Sequence, residues 1–167
     1  MKAQAIKDFF IENNLTLGSA ESFTGGLFAA TITSISGASK FYKGSFITYA
    51  TEEKNRLLQI PEDIIQQHGV VSKEIAFYMA NNARHLLGVD VCVSFTGNAG
   101  PEAMENKPVG EVHIGIVTAE KAEIYSLNLN GSRDEIRRQA VDFALKKLTM
   151  LKKLVGQKNR KNALCIY

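Results

Sequence analysis

Residues 18–27 read GSAESFTGGL. They lie where an extended run, 15–20, gives way to an apolar helical one, LFAATITSIS at 27–36. Strand, turn and helix in direct succession are the unit from which parallel sheets are built. Such a junction does not by itself require Ser22, Thr24 and the adjacent Gly25 and Gly26. A site that brings backbone close to a ligand does, because glycines permit close approach and helix N-termini present unpaired N–H donors.

Working outward, residues 3–13 carry Ile6, Phe9, Phe10 and Ile11 on one helical stripe. GSFITYA (44–50) alternates apolar and polar residues like a strand, and TEEKNRLLQI (51–60) reads as a helix that stops at Pro61. A further helix spans 72–87, begun by Ser72 and ended by Gly88. VDVCVSF (89–95) is a near-continuous apolar run, hence a central strand buried on both faces. TGNAGPEAMENKP (96–108) is a long loop. Segments 109–119 and 122–130 read as two strands joined by a tight turn at Glu120 and Lys121, which makes them antiparallel. Ser132 and Glu135 form a capping box for a last helix over 133–154. The expected order is α-β-α-β-α-α-β-β-β-α: an α/β fold with helices on both faces of a mixed, mostly parallel sheet, in one domain over 1–154. The basic stretch 155–167 is expected to be a solvated, mobile tail.

Composition narrows the functional classes. The 167 residues are 45% hydrophobic and 22% charged, ordinary for a globular domain. The formal net charge of +3 is mild and concentrated at the C-terminal end, which does not argue for nucleic acid over the whole surface. Cys92 and Cys165 have no Cys or His neighbour at metal-ligand spacing. The expectation is a cytoplasmic protein without metal or cofactor. No apolar run approaches the roughly 18–20 residues of a membrane span, and the N-terminus MKAQAIKDFFIENN is unlike a signal peptide.

In open α/β sheets ligands sit beyond the carboxyl ends of the parallel strands. Three stretches fall there: AESFTGG, YATEEK and TGNAGP. Each has a plainer reading. Ser22 and Thr24 serve as N-caps, Lys54 is solvated or paired with Glu53, and Tyr49 is half-buried packing. His68, His85 and His113, on a loop, a helix and a strand, suggest no Ser-His-Asp set. Nor is there a P-loop or a G-x-S-x-G. Arg133 and Arg137, one turn apart, either clamp a phosphate or form a solvated helix face.

Taken together, these stretches resemble the C-terminal domain of the competence/damage-inducible protein CinA. The usual pattern is A-E-S-x-T-G-G-L, then G-A-S, then a glycine before a strand ending in Tyr, then Lys five residues on. Here these are Ala20 to Ser22, Thr24 to Leu27, Gly37 to Ser39, Gly44, Tyr49 and Lys54. GVVSKEIAFYMANNAR matches the family's G-x-V-S helix. T-G-x-A-G-P appears as Thr96, Gly97, Ala99, Gly100 and Pro101, K-P-V-G as Lys107 to Gly110, and GSRDEIRRQAV resembles the start of the last helix. The likeness runs from about residue 3 to 150.

The resemblance implies a three-layer α/β/α sandwich with a mixed five-stranded sheet, a homo-oligomer of stand-alone form, and nicotinamide mononucleotide deamidase activity. The family's catalytic Ser, Tyr and Lys carry over to Ser22, Tyr49 and Lys54. Backbone N–H groups near Thr24, Gly25 and Gly26 then hold an oxyanion, and the loop with Thr96, Gly97 and Gly100 approaches the nucleotide. Arg133 or Arg137, from the same or a neighbouring subunit, holds the phosphate. With no suitable histidine, Lys54 takes the serine proton while Tyr49 relays it or orients Ser22. Three departures bear on substrate fit: Phe23 where the family often has Cys, Asn98 where it has an apolar residue, and PEAMEN where it is richer in glycine. The alternative function is a non-catalytic binding or regulatory module. A third, nucleic-acid binding through Lys152, Lys153, Lys158, Arg160 and Lys161, is weaker because basic ends are commonly just solvated.

Overall fold

A computed structural model describes the backbone of residues 2–162 and the side chains of residues 4–151. Helix α1 (Lys2–Glu12) leads into β1 (Leu17–Glu21) and α2 (Leu27–Thr33). A 3-10 turn, Ala38–Lys40, precedes β2 (Tyr42–Ile47). Next come α3 (Thr51–Arg56), α4 (Glu62–His68), α5 (Lys73–Leu87) and β3 (Val91–Gly97). The hairpin β4 (Glu111–Val117) and β5 (Ala122–Asn128) is followed by α6 (Arg133–Asn162).

Two elements differ from the sequence expectation. The helix expected over 51–60 stops at Arg56, and Pro61 instead opens α4, whose first turn carries Glu62 and Asp63 against the positive end of the helix. His68 therefore closes a helix rather than sitting in a loop. Helix α6 continues to Asn162, into the stretch read as a mobile tail. The basic side chains from Lys152 onward, and Cys165, lie outside the described residues.

The sheet order is β2-β1-β3-β4-β5. β1 pairs in parallel with both β2 and β3, and β3, β4 and β5 pair antiparallel. Only β4 is reversed, so the sheet is mixed with four strands running one way. After β2 the chain crosses β1 and resumes on its other side as β3. The carboxyl end of β1 is thus a topological switch point, where open α/β sheets leave a crevice.

Side chains alternate across each strand, so each face packs its own helices. One face meets α1, α2 and α6 in a core that includes Phe10, Phe28, Phe41, Phe95, Ile114 and Leu148. The Phe28 and Phe95 rings lie 5.3 Å apart. The other face meets α5 and the α3–α4 segment through Leu58, Ile60, Ile75, Met79 and Cys92. Among the described residues no helix is long and apolar enough to cross a membrane.

Helix α5 lies close on the sheet because Gly115 in β4 lacks a side chain. A Cβ there would stand 2.7 Å from Ser94 Oγ and 2.8 Å from the Ala76 carbonyl oxygen. The buried Ser94 hydroxyl donates to Ala76 O at 2.5 Å and accepts from Gly115 N–H at 3.2 Å. Gly115→Ala is expected to cost about 1–3 kcal/mol, as overpacking does. A lower urea midpoint with an unchanged native circular dichroism spectrum checks this.

Candidate active site

Ser22 is the first residue beyond β1. Its N–H extends the ladder to Phe95 O at 3.0 Å, and Thr48 N–H reaches Glu21 O at 2.9 Å. Sheet hydrogen bonding therefore fixes the serine between the ends of β2 and β3. Glu21 pairs in register with Ile47, and Glu21 turns to α2. By strand alternation Ser22 and Thr48 turn to the opposite face.

On that face α3 delivers Lys54, only 1% exposed. Its Nζ lies 3.1 Å from Ser22 Oγ and donates to Thr48 O at 2.9 Å. No carboxylate of the described residues forms an ion pair with it, and Glu53 is bound to Arg56 instead. Burial pushes the Lys54 ammonium down to about 8, against the opposing pull of Glu105 and Glu52. A lysine in this state holds a serine hydroxyl and gives up its proton more readily than an ordinary lysine.

Ser22 is not a helix cap, and neither is Thr24. The carboxylate of Glu21, fully buried, caps α2. Oε2 accepts from Gly26 N–H and Phe28 N–H, each at 3.1 Å, and Oε1 from Ala29 N–H at 2.9 Å. Arg137 holds the same loop from outside: Nε donates to Phe23 O at 3.2 Å and Nη2 to Thr24 O at 2.7 Å. The loop after β1 thus has donors on a carboxylate and acceptors on a guanidinium. Gly25 and Gly26 have φ of 57° and 96°, left-handed conformations that favour glycine. Their N–H groups are engaged, Gly25 with Ser22 O at 2.9 Å and Gly26 with Glu21. Neither is free for an oxyanion in this arrangement, and Arg137 spends its Nε and Nη2 on the loop carbonyls. The glycines are satisfied within their own turn, while Arg137 is engaged through the packing of α6 against the loop. Thr24 is buried and its Oγ1 has no partner.

Tyr49 sits at the outer side of the same strand end. Its ring is 60% exposed, and its hydroxyl accepts from Arg133 Nη2 at 2.8 Å. It has no hydrogen bond to Ser22 or Lys54, so the expected proton relay is not formed. Arg133 also donates to Gly100 O, tying the loops after β2 and β3 together. Thr96 is buried and donates to Val70 O at 2.5 Å. At Gly97 a Cβ would meet Val112 Cα at 2.7 Å and Glu111 O at 2.8 Å. Approach of β4, not of a nucleotide, requires that glycine.

The departures from the family pattern have local reasons. Phe23 is buried in the core on the α2 and α6 side. Asn98 staples its loop: Nδ2 donates to Met104 O and Lys107 O, each at 3.1 Å, and Oδ1 accepts from Met104 N–H at 3.2 Å. Glu105 accepts from Val70 N–H at 2.6 Å and Val71 N–H at 3.1 Å. Burial would raise the Glu105 carboxyl, but these bonds and Lys107 hold it below the ordinary carboxylate range. His113 is bound to Ser126 at 2.8 Å and Glu111 at 3.2 Å, and plays no part at Ser22. Among the described residues no cluster of three His, Cys, Asp or Glu could hold a metal. An open depression of about 520 Å³ at the amino end of β2 is bounded by Ser36, Gly37, Ser39 and Lys43, and no site residue borders it.

Fold and site together define an α/β sandwich with a buried lysine against a half-buried serine at its switch point. The chain belongs to the CinA C-terminal domain family, whose model matches residues 1–152. It is 45% identical over 133 residues to a Bacillus mycoides (strain KBAB4) protein described as competence-damage inducible, covering 79% of this chain and 32% of that protein. A protein so described from Geobacillus sp. (strain WCH70) is 43% identical over 146 residues, covering 87% of this chain and 35% of its own length. The chain thus spans about a third of these curated relatives. The crystal structure of competence/damage inducible protein CihA from Agrobacterium tumefaciens superposes with a TM-score of 0.84 at 30% identity, covering 90% of this chain and 94% of that one.

Glu21→Gln keeps one acceptor oxygen but turns an amide NH₂ toward backbone donors. It is expected to cost about 1–3 kcal/mol, as an unsatisfied buried group does. Faster amide hydrogen exchange at Phe28 and Ala29 than at α5 checks that the loss is local.

Proposed function

We propose that this chain is an amidohydrolase that deamidates nicotinamide mononucleotide to nicotinate mononucleotide and ammonia. The observation that carries the reading is the buried Lys54 Nζ 3.1 Å from Ser22 Oγ. A binding module has no use for a lysine buried without an anion, because desolvation disfavours the charged form. Family membership and the match of Ser22, Tyr49 and Lys54 to the resemblance support the substrate.

Neutral Lys54 accepts the Ser22 proton as Oγ attacks the carboxamide carbon. The resulting ammonium then protonates the departing nitrogen, which leaves as ammonia. Water, deprotonated by Lys54, cleaves the acyl-serine and restores the hydroxyl. No hydrogen bond within the described residues engages the N–H of Phe23 or Thr24, so these are the donors assigned to the oxyanion. Exposed Arg133 is assigned to the phosphate, with Tyr49 beside it at the mouth. The reading takes a nucleotide substrate, no cofactor and a cytoplasmic homo-oligomer, as the resemblance implies.

The test is ammonia release from nicotinamide mononucleotide by the purified protein. Ser22→Ala is expected to abolish it with the fold intact, and Lys54→Met to lose nearly as much. Lys54→Arg should not rescue, because a guanidinium stays protonated. Tyr49→Phe should be mild, since the hydroxyl is bound to Arg133 and not to the serine. Undiminished turnover by Ser22→Ala would refute covalent catalysis.

The pH profile is a separate check. Lys54 is active when deprotonated, so the rate should fall about tenfold per pH unit on the acid side of its titration and level off above it. With the lysine at about 8, the rise should run through the range just above neutrality. A flat profile across that range would remove Lys54 as the base.

A further inference from the structure

A protonated lysine has three N–H donors. Lys54 has two acceptors, Ser22 Oγ at 3.1 Å and Thr48 O at 2.9 Å. Its third N–H meets no acceptor within the described residues. At 1% exposure, water is nearly excluded from the amine. An ammonium that forms there by taking the serine proton therefore lacks a third partner at the moment its charge appears.

Thr48 has the opposite problem. It is fully buried, and its Oγ1 has no hydrogen-bond partner. Buried hydroxyls are paired in the large majority of cases, so this one calls for a reason. A valine would fill a strand end without leaving an unpaired oxygen. The residue is also placed where an acceptor is needed. Thr48 and Ser22 each extend their strand by one residue, as the bonds from Thr48 N–H to Glu21 O and from Ser22 N–H to Phe95 O show. Strands paired this way lie about 4.8 Å apart, and alternation turns both side chains to the face that holds Lys54. The Thr48 carbonyl is already bound to Nζ. A single step between staggered χ1 positions swings the hydroxyl of a threonine without moving its backbone.

We propose that the Thr48 hydroxyl is the third acceptor of the Lys54 ammonium, a positioning residue that turns to Nζ as Lys54 takes the proton from Ser22. The proposal rests on the reading of Lys54 as the base. The step moves one proton, from Ser22 Oγ to Nζ, and Thr48 keeps its own. Thr24 Oγ1 is also buried and unpaired. It lies in the turn beyond β1, where strand alternation no longer fixes its direction. The carboxylates that influence Lys54 are Glu105 and Glu52, and neither is bonded to it. They bias its charge in every variant alike.

The test compares Thr48→Val, close to isosteric, with Thr48→Ser. First, the Lys54 side chain is titrated by NMR in the free protein, which requires no turnover. Wild type should titrate near about 8. The valine variant should titrate about one pH unit lower, the effect of losing one hydrogen bond to a charged group. The serine variant should return to wild type. Second, the pH profile of ammonia release is measured. For Thr48→Val the plateau of kcat should fall about tenfold, with KM unchanged and the acid limb displaced by the same shift.

An unchanged Lys54 titration in the valine variant overturns the proposal, as does a lower plateau with an unmoved limb, which is the mark of packing alone. Should the valine variant fail to fold, a serine variant that titrates unlike wild type overturns it equally. If the protein releases no ammonia, the deamidase reading falls while the NMR titration still decides the role of Thr48.

Discussion

The β1–α2 junction depends on a carboxylate without access to water. Glu21 ends a five-residue strand that is buried throughout, and its side chain turns back to take three N–H groups from the start of α2. A helix start offers unpaired N–H groups and a positive potential, so the charge is compensated without a cation. The geometry has strict consequences. A side chain can reach back across so short a turn only if the intervening backbone enters left-handed conformations, hence Gly25 and Gly26. With the helix start fixed from the strand side, Ser22 has one position, and its hydroxyl emerges on the face opposite the glutamate.

On that opposite face the electrostatic logic is reversed. Glu21 is buried and its hydrogen-bonding capacity is met. Lys54 is buried and met only by neutral oxygens, those of Ser22 and Thr48. Glu21 is thus a structural group, and burial makes Lys54 give up its proton more readily than an ordinary lysine. The two lie on either side of one backbone ladder, so the residue that fixes the serine does not neutralise the lysine beside it. Glu21 is accordingly absent from the charges that influence Lys54, which are Glu105 and Glu52.

Sequence reading reached the parts of the structure that local physics decides. The strand–turn–helix unit, the central strand and the hairpin follow from periodicity and turn chemistry. The capping box formed as read, with Ser132 N–H and Oγ both 2.7 Å from Glu135 Oε2. Ser22 and Lys54 were legible only through their motif, because 32 residues separate partners that touch. What escaped was tertiary. Arg137 reads as a solvated residue or a phosphate ligand until α6 is laid against the nucleophile loop. Thr96 and Gly97 read as ligand-facing until β4 and the segment at Val70 occupy their surroundings. Glu21 did leave a local trace: an acid closing an apolar strand just before a helix opened by glycines.

The loop after β3 extends this argument to the electrostatics of Lys54. Its sequence departs from the glycine-rich form, and the replacements act as fasteners. Asn98 fixes the loop to itself, while Glu105 and Lys107 fix it to the backbone ahead of α5. Glu105 and Asn106 hold left-handed conformations, with φ of 57° and 56°, uncommon for a glutamate and readily taken by an asparagine. The Glu105 carboxylate is bonded to Val70 and Val71 N–H. Those bonds hold a negative charge where Lys54 feels it, opposing the downward push of burial. Burial alone would carry the lysine further from its ordinary value. A loop that touches neither Ser22 nor Lys54 thereby holds the lysine at about 8, above where burial alone would leave it.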